Sequence, residues 1–331
     1  MPTPVQVTIH PSQFPHRVLQ SLNESLRTRR VNHKFHYDSY KQAQKWLELH
    51  QAYSPSRTDP NCAVTYDLAF SAAARSLRSR RVHLIGLGCG GGQKDLRLLQ
   101  KLTAEGAHPS YSPVDVSLPM VLVAQQAAAR VAPECQPLVL DLALTEDLTE
   151  SLRRFAPNEA VRLITFFGMI PNFEPDLVVP KLARLLRAGD TLLLSANLAP
   201  GRDYATGVRR ILPLYQNDLT RDWLLTFLLD LGVERRDGEM DWAIESGAHE
   251  SLRVAAYFNF KRARILHLAG ETFKFASGEK IRLFFSYRYT AERICALLSR
   301  YRLQVITQWI TDSAEEGVFL CRKKRRAALR E

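Results

Sequence analysis

The chain is poor in the residues that staple, ligate or span. Its 331 residues include only five cysteines (Cys62, Cys89, Cys135, Cys295 and Cys321), and these are scattered. No C-x-x-C pair occurs, and the histidines show no ligand spacing with them. This excludes a disulfide framework and a structural zinc site, so a metal-free protein is expected. No apolar run approaches the length of a membrane span, and no membrane association is expected. The opening "MPTPVQVTIHPSQFPHR" lacks the apolar core of a signal peptide, which makes a cytoplasmic location the expectation. Acidic residues are also short, 34 against 45 basic, for a net charge of +11. The excess sits in "RSLRSRR", "RRILPL" and the tail "CRKKRRAALRE". A basic surface suits nucleic acid or an anionic membrane. These runs lack the interleaved aromatics that stack on bases, so a solvated face is expected and nucleic acid is not an expected partner. Nothing marks a self-complementary surface, and a monomer is the default.

What is present is an ordinary globular balance, with 46% hydrophobic residues. The length suits one large domain with an appended lobe. Residues 1–60 read as polar helices, with "FPHRVLQSLNESL" and "YDSYKQAQKWLELH" apolar at helical spacing. "AYSPSRTDPN" reads as a turn-rich loop in which Arg57 braces Asp59. After a helix near 61–79, strands and helices alternate. "RVHLIGL", "PSYSPVDV", "QPLVLDL", "VRLITFFGM" and "DTLLLSANL" are the strands. "QKDLRLLQKLTAEG", "PMVLVAQQAAARVA" and "PDLVVPKLARLLRAG" are helices between them. Apolar strands in this rhythm predict an α/β, doubly wound parallel sheet covered on both faces. The rhythm breaks near Ala199. Residues 203–236 read as helices and 238–286 as alternating strands; a helix and a strand pair close the chain. The expected organisation is a core of 61–198 plus 287–324, a discontinuous α+β lobe of 1–60 plus 199–286, and a basic tail, 325–331.

"GLGCGG", from Gly86 to Gly91, fits G-x-G-x-x-G between a strand and a helix. Glycine at Gly86, Gly88 and Gly90 permits a tight turn and close backbone approach to a bound nucleotide. Such a loop serves dinucleotides, and a related loop serves S-adenosylmethionine. Asp115 ends the second strand, where a carboxylate grips ribose hydroxyls in either case. Asp141 ends the third, where a carboxylate suits the adenine edge in methyltransferases and has no duty in the dinucleotide pattern. The closing strand pair is also of the kind that completes a methyltransferase sheet. These features favour the methyl donor, with a nicotinamide cofactor as the alternative. The fourth strand ends "FFGMIPNFEP". Its "IPNF" lacks the leading amide or acid of the Asn/Asp-Pro-Pro-aromatic motif of enzymes that methylate base amines. Asn172 still offers a carbonyl and an NH2 group to an amino-acid head group.

From residue 15 to 323 the chain resembles the histidine Nα-methyltransferases of ergothioneine biosynthesis. The likeness is carried by "HKFHYDSYKQAQKWLELHQAYSPSRTDP", "LGCGGGQKDLRLL", "SPVDVS", "FFGMIPNFEP", "LARLLRAGDTLLLSANL" and "QWITDSAEEGVFLC". It implies a Rossmann-like methyltransferase core with a discontinuous substrate lobe, and S-adenosylmethionine as cofactor. It also implies that Lys94, Asp115 and Asp141, with Phe167 and Gly168, belong to the cofactor site. Tyr37 would stand beside the substrate side chain, Tyr53 would face the amine or carboxylate, Asn172 would bind the head group and Tyr215 would hold the carboxylate. Tyr53 and Asn172 are the residues expected to orient the reacting amine.

The departures bear on substrate. Gly86 stands where the family has an acidic residue. "FFGMIPNF" is one residue shorter than the family segment. In "EKIRLFFSYRY" the family's E-x-S, which hydrogen-bonds imidazole, survives only as Ser286, with Phe284 at the glutamate position. Val254 replaces a longer apolar side chain. A roomier, apolar pocket is expected, and with it an aromatic or apolar amino acid in place of histidine. The alternatives are that Phe284 is strand packing, that histidine itself is methylated, that a nucleic acid or protein is the acceptor, or that the site has decayed.

Overall fold

The computed structural model describes residues 4–153, 155 and 159–324; the basic tail 325–331 lies outside the described residues. The chain enters through a short strand, β1 (Thr8–Ile9), and helix α1 (Pro15–Thr28), which ends on Arg29 in the left-handed region. Helix α2 (Tyr40–Tyr53) is capped by Ser39, whose hydroxyl accepts from the Gln42 N–H. The segment expected to be a turn-rich loop is instead helical, as α3 (Pro55–Thr58) running into α4 (Pro60–Ser76). Ser54 and Asp59 hold extended conformations at the two helix starts, each followed by proline at the first helical position. Proline is preorganised there, and its missing N–H is one that helix starts leave unpaired anyway. Arg57 donates to His50 Nδ1 at 3.3 Å and forms no ion pair with Asp59.

The expected alternation then follows. It runs β2 (Arg81–Leu87), α5 (Gln93–Ala104), β3 (His108–Asp115), α6 (Leu118–Ala128), β4 (Leu138–Val139), α7 (Leu148–Arg153), β5 (Val161–Phe167), α8 (Pro175–Leu185) and β6 (Thr191–Asn197). The strands are buried along most of their length, as covered parallel strands must be. Next come α9 (Tyr204–Ile211), α10 (Asp218–Asp230), β7 (Gly238–Ser246), β8 (Leu252–Phe260), β9 (Arg264–Leu268), β10 (Glu271–Phe275) and β11 (Lys280–Arg288). Helix α11 (Ala291–Arg300), β12 (Leu303–Ile310) and β13 (Glu316–Lys323) close the described chain.

Eight strands form one sheet in the order β1-β4-β3-β2-β5-β6-β13-β12, with β13 antiparallel to both its neighbours and the other pairings parallel. The winding reverses between β2 and β5, and in open α/β sheets ligands sit beyond the strand ends at such a reversal. Strands β11-β8-β7 form a separate antiparallel sheet, and β9 and β10 a hairpin. Their apolar faces bury Leu26 of α1, Trp223 and Phe227 of α10, and Phe258, Phe260 and Phe275 in a core of their own. The amino-terminal arm, read from sequence as part of the lobe, also adds β1 to the large sheet, with Thr8 opposite Leu138. Among the described residues no helix is long and apolar enough to cross a membrane.

Candidate functional site

The strand ends at the winding reversal open into a cavity of about 610 Å³, whose other walls come from α2, α10 and β11. That is the size of a small-molecule cleft. At the sheet end, the turn after β2 places Gly88 at φ 65° and Gly90 at φ 51°, a region that favours glycine. A Cβ at Gly88 would stand 2.6 Å from Met169, and one at Gly90 would stand 3.0 Å from the Trp46 ring. Glycine at these two positions lets Met169 and Trp46 pack directly on the turn where it lines the cavity.

Asp115 closes over this turn. Its Oδ2 accepts from the Gly90 N–H at 3.0 Å and its Oδ1 from the Ser117 N–H at 3.0 Å. Burial pushes its carboxyl up to about 6. Asp141 lies past the next strand and receives the Ala143 and Leu144 N–H groups on Oδ1 at 2.8 and 3.2 Å. Its Oδ2 is buried with no hydrogen-bond partner, and Lys34 Nζ stands 3.9 Å away. Burial lowers the Lys34 pKa, opposed by the charges of Asp141 and Asp38. An orphaned buried acceptor after the third strand, a carboxylate ending the second and a glycine-rich turn fit a nucleoside bearing an exocyclic amine. Lys94 reaches the rim, donating to the Tyr66 hydroxyl at 2.7 Å with Glu316 3.6 Å away. Phe167 and Gly168 line the same end, and the Gly168 N–H donates to Ser195 Oγ at 2.9 Å.

Aromatic side chains line much of the rest of the cavity. Tyr37 meets Trp46 and Trp223 edge-on at 6.0 and 5.4 Å between ring centres. Burial, reinforced by the Asp115 charge, raises the Tyr37 phenol pKa. Phe284 meets Trp223 at 5.9 Å and Tyr215 at 6.2 Å. A register shift between Arg282 and Phe284 bulges β11. Beyond it Phe284, Ser286 and Arg288 alternate onto the cavity face, as period two requires. The Arg288 guanidinium is 5% exposed and donates twice to the Tyr215 hydroxyl, at 3.1 and 2.6 Å. It has no acid within 4.0 Å among the described residues, whereas buried Arg162 pairs with Asp190 and buried Lys34 faces Asp141. With both donors arriving at its oxygen, the Tyr215 O–H is left to donate elsewhere. Asn172 also lines the cavity, and Tyr53, half exposed at the end of α2, stands at its mouth.

Two of the expected residues are placed elsewhere. Val254 is fully buried in the lobe core opposite Ser286 and does not line the cavity. Gly86 lies behind the turn and faces Asp95. Sequence reasoning missed Arg288, although it stands two positions after Ser286 on one strand face. It also missed His33. The Phe285 N–H donates to His33 Nε2 at 3.3 Å, and its ring stacks on Phe284 at 5.0 Å. Burial, then the charges of His36, Arg282 and Arg253, hold that imidazole neutral.

A family model described as histidine-specific methyltransferase, S-adenosylmethionine-dependent, matches residues 14–323. The N-methyltransferase imqF of Aspergillus flavus is 24% identical over 278 residues, spanning 80% of this chain and 73% of the relative. Among solved structures, the CcbJ methyltransferase from Streptomyces caelestis is 14% identical, with 79% of this chain and 89% of that one covered and a TM-score of 0.39. The 1,6-didemethyltoxoflavin-N1-methyltransferase of Burkholderia thailandensis, solved with S-adenosylhomocysteine, is 12% identical, with 86% and 89% covered and a TM-score of 0.39.

Proposed function

Because this chain belongs to the histidine-specific, S-adenosylmethionine-dependent methyltransferase family, we propose that it methylates the α-amine of a free amino acid with an aromatic or apolar side chain. One observation carries this reading. A single cavity has carboxylates Asp115 and Asp141 at one end and, at the other, a buried guanidinium lacking an acidic partner. A buried charge is costly unless paired, and the carboxylate of a zwitterion supplies the pair that Arg288 lacks. Tyr215, positioned by Arg288, donates to that carboxylate.

The residues at the donor end fit S-adenosylmethionine, with Asp115 accepting from ribose hydroxyls and the orphaned Asp141 Oδ2 from an adenine amine. The donor supplies an electrophilic methyl group on a sulfonium. What the chain contributes is mainly position, since holding amine and methyl in line removes most of the entropic barrier. The amine must first lose a proton; a peptide's terminal α-amine does so at about 7.7–8.0, and a free amino acid's, held by its own carboxylate, only at higher pH. The aromatic walls around Tyr37 and Trp223 favour the neutral amine by desolvation. The Asn172 carbonyl accepts from the amine and turns its lone pair toward the donor end. The proton leaves through the mouth at Tyr53, which opens to water. The faces of Trp223 and Tyr37 then attract the positive charge of the methylated nitrogen.

Histidine is the rival acceptor, on the family description. Phe284 speaks against it, because a phenyl ring offers imidazole no acceptor and an unpaired buried N–H costs about 1–3 kcal/mol. The test is a panel of the twenty amino acids with the donor, plus the decarboxylated amines of the best acceptors, read by mass for added methyl groups. Aromatic amino acids should lead and their decarboxylated amines should fail. Histidine as the best acceptor overturns the side-chain assignment, and turnover of the amines overturns the role given to Arg288 and Tyr215.

A further inference from the structure

Gly86 and Asp95 are a matched pair. Gly86 is the second-last residue of β2, just before the cofactor turn, at the position where the family resemblance leads one to expect an acidic side chain. A Cβ there would overlap the Asp95 carboxylate. Asp95 stands in the first turn of α5, and its side chain lies across the space above Gly86. Its Oδ2 accepts from the Tyr111 hydroxyl and its Oδ1 from the Thr165 hydroxyl, each at 2.7 Å. The residue is 3% exposed, lines the cavity and has no basic group within 4.0 Å among the described residues. A brace between β3 and β5 needs no charge, and a neutral amide would serve it. The charge of Lys94 acts on it without pairing with it, and a buried carboxylate without a paired cation is costly unless a ligand supplies one.

We propose that Asp95 is the donor-site carboxylate that position 86 does not carry, and that it holds the cationic amino-acid end of S-adenosylmethionine. Glycine at 86 is then required, because any side chain there displaces the carboxylate that replaced it. This rests on the family's cofactor and is independent of which amino acid is methylated.

The test is calorimetry of Asp95→Asn and wild type with three ligands: S-adenosylmethionine, S-adenosylhomocysteine and 5′-methylthioadenosine, the last lacking the amino-acid end. The variant should bind the first two at least tenfold more weakly and the third as wild type does. Unchanged affinity for the first two, or equal loss on all three, overturns the proposal. Failure of wild type to bind any of them would instead overturn the cofactor reading. Thr165→Val, which removes one brace and keeps the charge, should lower the melting temperature while leaving donor affinity unchanged; a matching loss of affinity assigns the effect to bracing and counts against the proposal. Moving the carboxylate back, as Gly86→Asp with Asp95→Ala, should recover donor affinity over Asp95→Ala alone. A double variant that melts like wild type but recovers nothing also counts against it.

Discussion

Phe284 and His33 stack with their rings 26° apart, so the imidazole lying on the Phe284 ring is the protein's own. Tyr215 and Trp223 complete an apolar surround for that ring. Phe284→Glu would place an acceptor on the cavity face beside Ser286, and should shift competition between histidine and aromatic amino acids toward histidine by about tenfold or more, the worth of one charge-assisted hydrogen bond. An unchanged ranking in mixed-substrate assays would remove Phe284 from the acceptor pocket. At this scale the sequence was readable where chemistry and strand ends coincide. Asp115 ends β3, Asp141 and Asn172 come shortly after β4 and β5, and all three line the cavity. Val254 was misjudged because its facing depends on a strand-pairing register that local pattern does not reveal. In sequence, nothing sets Arg288 apart from the other arginines of a basic chain. Its burial without an acidic partner, which marks it, exists only in three dimensions.

The parallel strands of the large sheet were legible because burial on both faces leaves near-continuous apolar runs, as in β2 and β6. The two-residue strand β1 carries no such run, and pairing with β4, itself legible in "QPLVLDL", is what makes it a strand. "SPSRTDP" failed for a different reason: Ser-Pro and Asp-Pro serve both turns and helix starts, and here both prolines start helices. Asp59 caps α4 by accepting from the Asn61 N–H at 2.8 Å. Asp59→Ala should therefore cost about 1 kcal/mol of stability, with Asp59→Asn nearly neutral, in urea unfolding. Equal midpoints for alanine and wild type would show that proline alone fixes the helix start. The bulge in β11 was likewise invisible, yet it decides which of its residues face the cavity.

Across the whole molecule, burial sets two groups of titrating residues against each other. His36 and His83 are buried and their imidazoles are pushed down to about 4. As pH falls from 6.5 the unfolded chain takes up protons there that the folded chain does not, so stability falls. Asp95 and Asp115 are pushed up to about 6, again by burial. Below that pH the folded chain takes up protons that the unfolded carboxyls, with ordinary pKa values near 4, do not, so stability rises. The two tendencies offset each other between pH 6 and 4. Asp95→Asn removes one opposing carboxyl, and its stability should drop more steeply than that of wild type over this window, by up to about 1.4 kcal/mol per pH unit. Parallel denaturation profiles would show that Asp95 does not titrate in that range.

Helix α2 packs against both α10 and α6, and along one face it carries Trp46 over Gly90 and Tyr53 at the cavity mouth. The glycine turn and the aromatic wall of the cavity consequently share this helix. A tilt of that helix reshapes both regions of the one cavity at once, so under the proposed function its substitutions should register as correlated changes in the Michaelis constants of donor and acceptor.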